Sequence, residues 1–375
     1  MASSEGSENN LSYRSPLLGR DGASPLTTDA ELAPDAEGVA WHYGDPLVEQ
    51  RAVDGPGMVV DRSHRAVVRV TGEEDAVFLN NLLSQKLDGA KEGFSAGVLD
   101  LDVRGRVLHQ ADLTRTPSGF LLDLPAADAA SLKEYLKAMV FWSKVDIDRA
   151  DLAIVTVLGG KHTPATLGEA LAGLHPEFIR RPAGWLGAPR IDVAVPSAEL
   201  EAAIEALERA GLSLGGLMAY TAERVRALAP ERHVDLDEKA IPHEVAHWIG
   251  RGDVASFVHL DKGCYRGQET VSRVENLGRA PRLLVLLNLD GSAPSLPAPG
   301  ADLTVAGRRA GRLGTVVHDH ELGPIALGLV KRSALDSGQQ LAAGDVAAAV
   351  DPDSLPTETE EGAGRAAIER LRGRR

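Results

Sequence analysis

The sequence predicts an α+β protein: a bipartite, ferredoxin-like body followed by a small C-terminal β-barrel. Three observations predict it. Residues 66–149 read as strand, helix, strand pair, helix, strand, close to a split βαβ pattern. Residues 154–228 repeat the same element types without a residue-level repeat. From Pro281 onward, short apolar segments alternate with turns at Gly300, Gly307, Gly311, Gly314, Gly323 and Gly328, the texture of a small all-β barrel. The expected organisation is a disordered tail over 1–38, a body of two subdomains over 39–280, the barrel over 281–350 and a flexible tail over 351–375.

Taken in order, residues 1–38 are rich in Ser, Gly, Asp, Glu, Asn and Pro and lack apolar periodicity. Residues 66–70 read as a strand. Thr71-Gly72-Glu73-Glu74 reads as a capping box opening a helix to about residue 83. Strands are expected over 94–102 and 107–115, joined at Arg104-Gly105, and over 120–124 after the turn Thr116-Pro117-Ser118-Gly119. A helix over 126–141 and a strand over 145–149 complete the first round. The second round predicts strands over 154–158 and 190–195. Its helices are expected over 165–174, over 198–210 with Ser197 as N-cap, and over 214–228. The run 283–289 opens the barrel.

The formal charge is -14, with 43% hydrophobic and 25% charged residues. These are ordinary values for a globular chain. The acidic balance argues against a general nucleic-acid binder. No run of about 18 apolar residues suggests a membrane span, and no secretory signal opens the chain, so a cytoplasmic location is expected. A single cysteine excludes an internal disulfide and a four-thiolate metal site within one chain.

That cysteine sits in Asp261-Lys262-Gly263-Cys264-Tyr265-Arg266-Gly267-Gln268-Glu269. Lys262 and Arg266 each stand two residues from Cys264, and a nearby cation favours thiolate over thiol. After Gly267 the pattern turns helical. Glu269 falls in the first turn, where a carboxylate suits the helix dipole, and Asn276-Leu277-Gly278 reads as the stop. Residues 262–282 hold Lys262, Arg266, Arg273, Arg279 and Arg282 against Glu269 and Glu275, a basic stretch that suggests an anionic ligand. The plainer reading is a glycine turn entering a helix, with the cysteine as a small buried hydrophobe.

Lys262-Gly263-Cys264-Tyr265-x-Gly267-Gln268-Glu269 resembles the signature of the YgfZ family, folate-binding proteins related to the aminomethyltransferase (T-protein) of the glycine cleavage system. The resemblance extends from about Asp61 to about Arg332. It implies a T-protein-like folate-binding body with a C-terminal barrel around a central cavity. It also implies tetrahydrofolate or a related reduced folate as ligand. The function implied is support of iron-sulfur cluster assembly or repair, with the assembly machinery or client enzymes as partners. Carried over residue by residue, Cys264 and Lys262 are the catalytic candidates. Tyr265, Arg266, Gly267, Gln268, Glu269, Arg226 and Asp112 are the folate-binding candidates.

Three further stretches echo that family. Leu101-Asp102-x-x-Gly105-Arg106-x-Leu108 resembles the hairpin lining the folate cavity. His109 and Gln110 stand where the T-protein has an aspartate pair, and Asp112 comes two residues late. A carboxylate is what would orient or deprotonate a cationic amine, so its displacement argues against aminomethyl transfer. If Arg226 matches the arginine of the family's Leu-Arg-Ile-Glu-Ala, Leu228 occupies the position of the pterin-gripping glutamate. Asp61-Arg62-Ser63-His64-Arg65 resembles the family's opening, or is a polar lead-in to a strand.

A rival motif is His243-Glu244-x-x-His247-x-x-Gly250-x-x-Asp253, whose spacing on a helix would suit a zinc metalloprotease with Glu244 as general base. Pro242 before His243 and the absence of any methionine after Met218 count against it. Gly159-Gly160 after a strand offers a weak phosphate-cradle signal, with no Lys-Ser/Thr continuation. The expectation is therefore a folate-binding accessory factor for iron-sulfur proteins. The alternatives are a tetrahydrofolate-dependent aminomethyltransferase and a zinc hydrolase.

Overall fold

The structure, a computed structural model, describes residues 13–26, 36–250, 255–277 and 279–356. Helix α1 (Pro46–Arg51) precedes strand β1 (Met58–Asp61). Then come β2 (Ala66–Thr71), α2 (Asp75–Leu82), β3 (Ser95–Leu101), β4 (Val107–Thr116), β5 (Gly119–Leu124), α3 (Ala126–Ala138) and β6 (Asp146–Ala150). The second round runs β7 (Leu152–Leu158), α4 (Pro164–Ala170), β8 (Phe178–Arg180), β9 (Arg190–Pro196), α5 (Leu200–Arg209), β10 (Ser213–Gly215) and α6 (Leu217–Arg226). Helix α7 (Gln268–Leu277) follows the cysteine motif. The barrel comprises β11 (Arg282–Leu289), β12 (Asp302–Val305), β13 (Arg308–Asp319), β14 (Gly323–Lys331), β15 (Leu341–Ala343) and β16 (Val346–Val350).

The first sheet has order β3-β4-β5-β2-β6, with every pairing antiparallel. Phe78 and Leu79 of α2 and Leu132 and Leu136 of α3 bury against Val68, Val98, Leu113 and Leu122 on one face. Each such side chain contributes about 1.5–3 kcal/mol of burial. The second sheet has order β8-β9-β7-β1-β10, where only the β10–β1 pairing is parallel. Leu167 of α4 and Ile204 and Leu207 of α5 cover Val155, Val157 and Val193. The remaining faces of the two sheets meet through Val67 and Leu121 on one side and Ile154, Phe178 and Ala194 on the other. Strands β7 and β9 are therefore buried on both faces, which is why they read as near-continuous apolar runs.

The barrel closes through β11, which pairs with both β14 and β16. Closure leaves no open strand edge. The barrel is tied to the body by Gln50 of α1, which is fully buried. Its Nε2 donates to the His318 carbonyl at 2.9 Å and its Oε1 accepts the His320 N–H at 2.8 Å.

Several expectations need correction. Helix α2 starts at Asp75 without the capping box, because Lys144 takes both glutamates: its N–H donates to Glu74 at 2.7 Å and its Nζ to Glu73 at 2.8 Å. Ser197 makes no cap bond and opens a 3-10 turn ahead of α5. Strands β1, β8 and β10 have no counterpart among the expected elements; at three or four residues they are too short to show alternation. Residues 13–26, expected within the disordered tail, pack on the body. Leu17 is fully buried in the second core, and Ser15 Oγ donates to Asp61 at 2.5 Å. One apolar pair, Leu17-Leu18, is too brief to read as periodicity. The rest of both expected tails, apart from residues 36–38 and 351–356, lies outside the described residues.

Candidate functional site

The two sheets enclose a cluster of buried charge. Asp112 comes from β4, Asp123 from β5 and Asp192 from β9. Arg62 and Arg65 lie between β1 and β2, Arg180 ends β8 and Arg190 begins β9. Arg65 Nε donates to Asp123 at 2.8 Å, and Arg180 bonds the other Asp123 oxygen. Arg180 also donates to Thr114 Oγ1 at 2.5 Å. Arg190 grips Asp192 with two bonds, at 3.0 and 2.7 Å. Arg62 lies 4.2 Å over the Tyr220 ring and donates to Thr156 Oγ1 at 3.3 Å. Bidentate arginine–carboxylate pairing is what makes so much buried charge tolerable.

The three aspartates differ. Burial alone would raise all of them. Arg180, Arg65 and Arg62 outweigh burial at Asp123, and Arg190, Arg180 and Arg62 do so at Asp192, holding both below the usual carboxylate range. Asp112 goes the other way: burial, then the charge of Asp123, push it up against Arg190 and Arg180. Asp112 and Asp123 are cross-strand partners, so two like charges face each other. The cations nearest Asp112, Arg190 and Arg180, stand at 3.6 and 4.0 Å.

A chamber of about 40 Å³ opens onto this cluster, lined among others by Gln110, Asp112, Glu231, His247 and Trp248. A second, mostly apolar chamber of about 290 Å³ lies between α6 and the barrel, with Trp41, Leu217, Val234 and residues 296–299 in its wall. Tyr220, Arg224 and Glu231 line both. Gln110 and Asp112 reach the first chamber together because residues two apart share a strand face. His109, on the other face, contacts Asp100 at 2.8 Å and Ser131 at 2.9 Å. Asp112 is thus a cavity residue rather than a solvent-facing one. Glu231 supplies a carboxylate to the chamber and lies 3.8 Å from Arg65.

The cysteine motif lies elsewhere. Neither chamber is lined by any residue of 262–269. Cys264 is exposed. Lys262 Nζ donates to the carbonyls of Asn80 at 2.5 Å, of Leu83, and of Gln85 at 3.0 Å. It therefore caps the C-terminal end of α2, where orphan carbonyls and the dipole call for a cation. Burial pushes its pKa down to about 8, and it sits 4.6 Å over the Tyr265 ring. Tyr265 is itself pushed up to about 12 by burial. Arg266 donates to Asp100 at 2.5 Å and stacks 4.1 Å over Tyr135. Both cations expected to hold Cys264 as thiolate are thus committed to other partners. Gly267 has φ +81°, and a Cβ there would meet the Asp102 carbonyl at 2.6 Å, so glycine is required for α7 to dock on the β3–β4 turn. Gln268 accepts the Tyr265 N–H at 3.2 Å, and exposed Glu269 pairs with Arg273 at 3.2 Å.

Four more expectations are corrected. Arg226 points away from both chambers, to Asp319 at 3.3 Å and Glu321 at 3.2 Å. The zinc motif is not a helix: His243 and His247 lie in separate 3-10 turns. His243 contacts Glu275 at 3.2 Å. Glu244 is locked by Arg282 at 2.7 and 2.9 Å, and His247 faces the first chamber. Burial lowers His247 to about 4, so it is neutral near pH 7. Asp253 lies outside the described residues. Three of the five cations in the basic stretch are spent on carboxylates, Arg266 on Asp100, Arg273 on Glu269, and Arg282 on Asp237 and Glu244, and Lys262 is spent on backbone carbonyls. Gly159 and Gly160 pack against the carbonyls of Val53 and Pro56, at contacts a Cβ would close to 1.9 and 2.5 Å, so packing rather than a phosphate accounts for them.

Residue patterns had not pointed to Asp123, Arg180, Arg190, Asp192 or Glu231. One signal was available. Asp123 interrupts an otherwise apolar strand and Asp192 stands between Ile191 and Val193, and a carboxylate there must find a buried cation.

The comparisons agree with this architecture. A family model described as the CAF17 C-terminal β-barrel domain matches residues 282–357. A chloroplastic protein of Arabidopsis thaliana, described as a transferase, is 26% identical over 82% of this chain and 73% of its own length. The tRNA-modifying protein YgfZ of Colwellia psychrerythraea is 26% identical over 61% of this chain and 71% of its own. A mitochondrial homolog of the iron-sulfur cluster assembly factor IBA57 from Pyricularia oryzae is 25% identical over 57% and 53%. The crystal structure of the glycine cleavage system aminomethyltransferase T from Bartonella henselae superposes with a TM-score of 0.74 at 20% identity, covering 92% of this chain and 97% of that one.

Proposed function

From a CAF17-type barrel closing an aminomethyltransferase-type fold, we propose that this protein is a reduced-folate-binding accessory factor that supports iron-sulfur cluster assembly or repair. One relative is named an iron-sulfur cluster assembly factor, and another is named the tRNA-modifying protein YgfZ. No helix among the described residues is long and apolar enough to cross a membrane.

The observation that carries the reading is the pair of adjoining chambers. A small polar one holds Gln110, Asp112 and Glu231, and a larger apolar one shares its wall. A pterin joined to an aminobenzoyl stem has that division of chemistry: a flat hydrogen-bonding head on an apolar body. At about 40 Å³ the polar chamber holds only a few waters, so it would have to widen to admit a pterin; Gln110 and Glu231 would then pair with the head's donors and acceptors. Aminomethyl transfer is the weaker reading. The cavity face of β4 presents the amide Gln110, and Asp112 sits deeper between Arg180 and Arg190, held towards its neutral form. In this reading Cys264 acts from the surface as a nucleophile, redox thiol or transient ligand, presented to a protein partner by a motif that Lys262 and Arg266 anchor.

Trp185 and Trp248 line the polar chamber, so ligand entry is readable as tryptophan quenching. Titrating tetrahydrofolate is expected to give saturable quenching in wild type and in Cys264→Ala alike. Unchanged fluorescence and no heat of binding at saturating folate would sink the proposal.

A further inference from the structure

Away from the central chambers, the turn joining β13 to β14 brings His320 and Glu321 of the barrel against Asp54 of the body. One ligand-type atom from each lies within 4.8 Å of the other two. His320 Nε2 stands 3.7 Å from Asp54 Oδ2, beyond hydrogen-bond reach. The imidazole is only 6% exposed, and its Nδ1 has no hydrogen-bond partner. The nitrogen aimed at the carboxylates is Nε2, which at that distance makes no hydrogen bond to Asp54, so a cation between them would give it the partner it lacks.

The turn is well anchored. Gln50 bonds the backbone of His318 and His320. Asp319 Oδ1 accepts the N–H groups of Glu321 and Leu322 at 2.9 and 2.8 Å. Arg226 bonds Glu321 through Oε2 at 3.2 Å. A carboxylate offers about four acceptor sites, so this pairing is compatible with coordination. Asp54 also borders an open cleft of about 550 Å³.

We propose that Asp54, His320 and Glu321 form a divalent-cation site of zinc type that clasps the barrel to the body. One imidazole nitrogen and two carboxylate oxygens suit zinc, with water as the fourth ligand. The site shares no residue with the two central chambers, so it stands or falls apart from the folate reading.

The test uses full-length protein, freed of metal with a chelator and titrated calorimetrically with zinc sulfate near neutral pH. Wild type is expected to bind one equivalent and to gain thermal stability with zinc. His320→Ala is expected to lose both effects. Glu321→Gln, at a largely exposed position, is expected to fold normally by circular dichroism and to bind roughly tenfold more weakly or worse. His175→Ala, which removes the surface contact with Glu199, is expected to bind as wild type does. No heat from wild type, undiminished binding in both site variants, or loss of binding in His175→Ala instead would each overturn the proposal.

Discussion

Replacing Asp123 with asparagine keeps the shape of the side chain and removes one charge from the middle of the buried cluster. Asp123 is fully buried, and its partners Arg65 and Arg180 are 5% and 3% exposed. The amide could still accept from Arg65 with its oxygen, but its NH2 would then face the Arg180 guanidinium, donor against donor. Removing one partner of a buried ion pair costs about 3–5 kcal/mol, because the other charge is left uncompensated. Against a total stability of about 5–15 kcal/mol this is a large fraction. With a urea slope of ~2 kcal/mol per molar, the unfolding midpoint should fall by about 1.5–2.5 M. The effect should depend on pH in a defined direction. Asp123 is held below its ordinary range in the folded state, so its contribution is present above the unfolded value of about 3.9 and is lost as pH falls through the folded one. The gap between Asp123→Asn and wild type should therefore shrink on acidification below about pH 4. A loss under ~1 kcal/mol near pH 7, or a gap that widens in acid, would refute the view that this carboxylate is the electrostatic keystone of the two sheets.

Asp112→Asn should do the opposite: a carboxylate raised by burial contributes stability below its unfolded pKa and loses it as pH rises through the folded one. The variant should be at least as stable as wild type near pH 7, with the difference gone by about pH 4, as paired urea melts at the two pH values would show. Lys262→Met should uncap α2, leaving three carbonyls without their cation, and cost about 2–3 kcal/mol. Amide exchange over residues 79–86 should rise, and unchanged protection there would contradict a capping role. Cys264→Ala should shift stability by less than about 0.5 kcal/mol, since the thiol is exposed, while lowering iron-sulfur enzyme activity in cells. Full activity in a strain carrying that variant would remove the thiol from the mechanism.

The repeating strand and helix order was legible because burial leaves a period in the sequence. Helices α2, α3 and α5 have faces to hide, and β7 and β9 are hidden on both sides. The site was less legible, for a physical reason. Lys262 and Arg266 flank Cys264 in sequence, yet side-chain length lets each reach a partner far along the chain, at residues 80–85 and at Asp100. Sequence proximity of a cation therefore said nothing about which charge it would meet. Asp123, Arg180 and Asp192 converge only because two sheets stack back to back, and no local pattern records that packing. The His243–His247 spacing misled in the same way. Letters three or four apart face one way only if the backbone is helical, and here a proline and two 3-10 turns send the side chains apart.

The β3–β4 hairpin explains how a surface thiol and an interior chamber can belong to one protein. Its strands pair Asp100 with His109 and Leu99 with Gln110, and alternation sends the first pair to one face and the second to the other. On the first face, buried Asp100 accepts from Arg266 of the cysteine motif, and His109 reaches Ser131 of α3. On the second, Gln110 and Asp112 enter the polar chamber. At the hairpin turn, Gly105 and Gly267 come within a Cβ's width of each other, so the motif packs directly on the turn. A ligand that shifted Gln110 or Asp112 on β4 would push, across the ladder, on β3, which carries Asp100. Arg266, held at 2.5 Å from that carboxylate, would pass the displacement to the residues flanking Cys264. The separation of chamber and thiol is then compatible with a mechanical relation between them, in which occupancy of the interior alters how the exposed cysteine is presented.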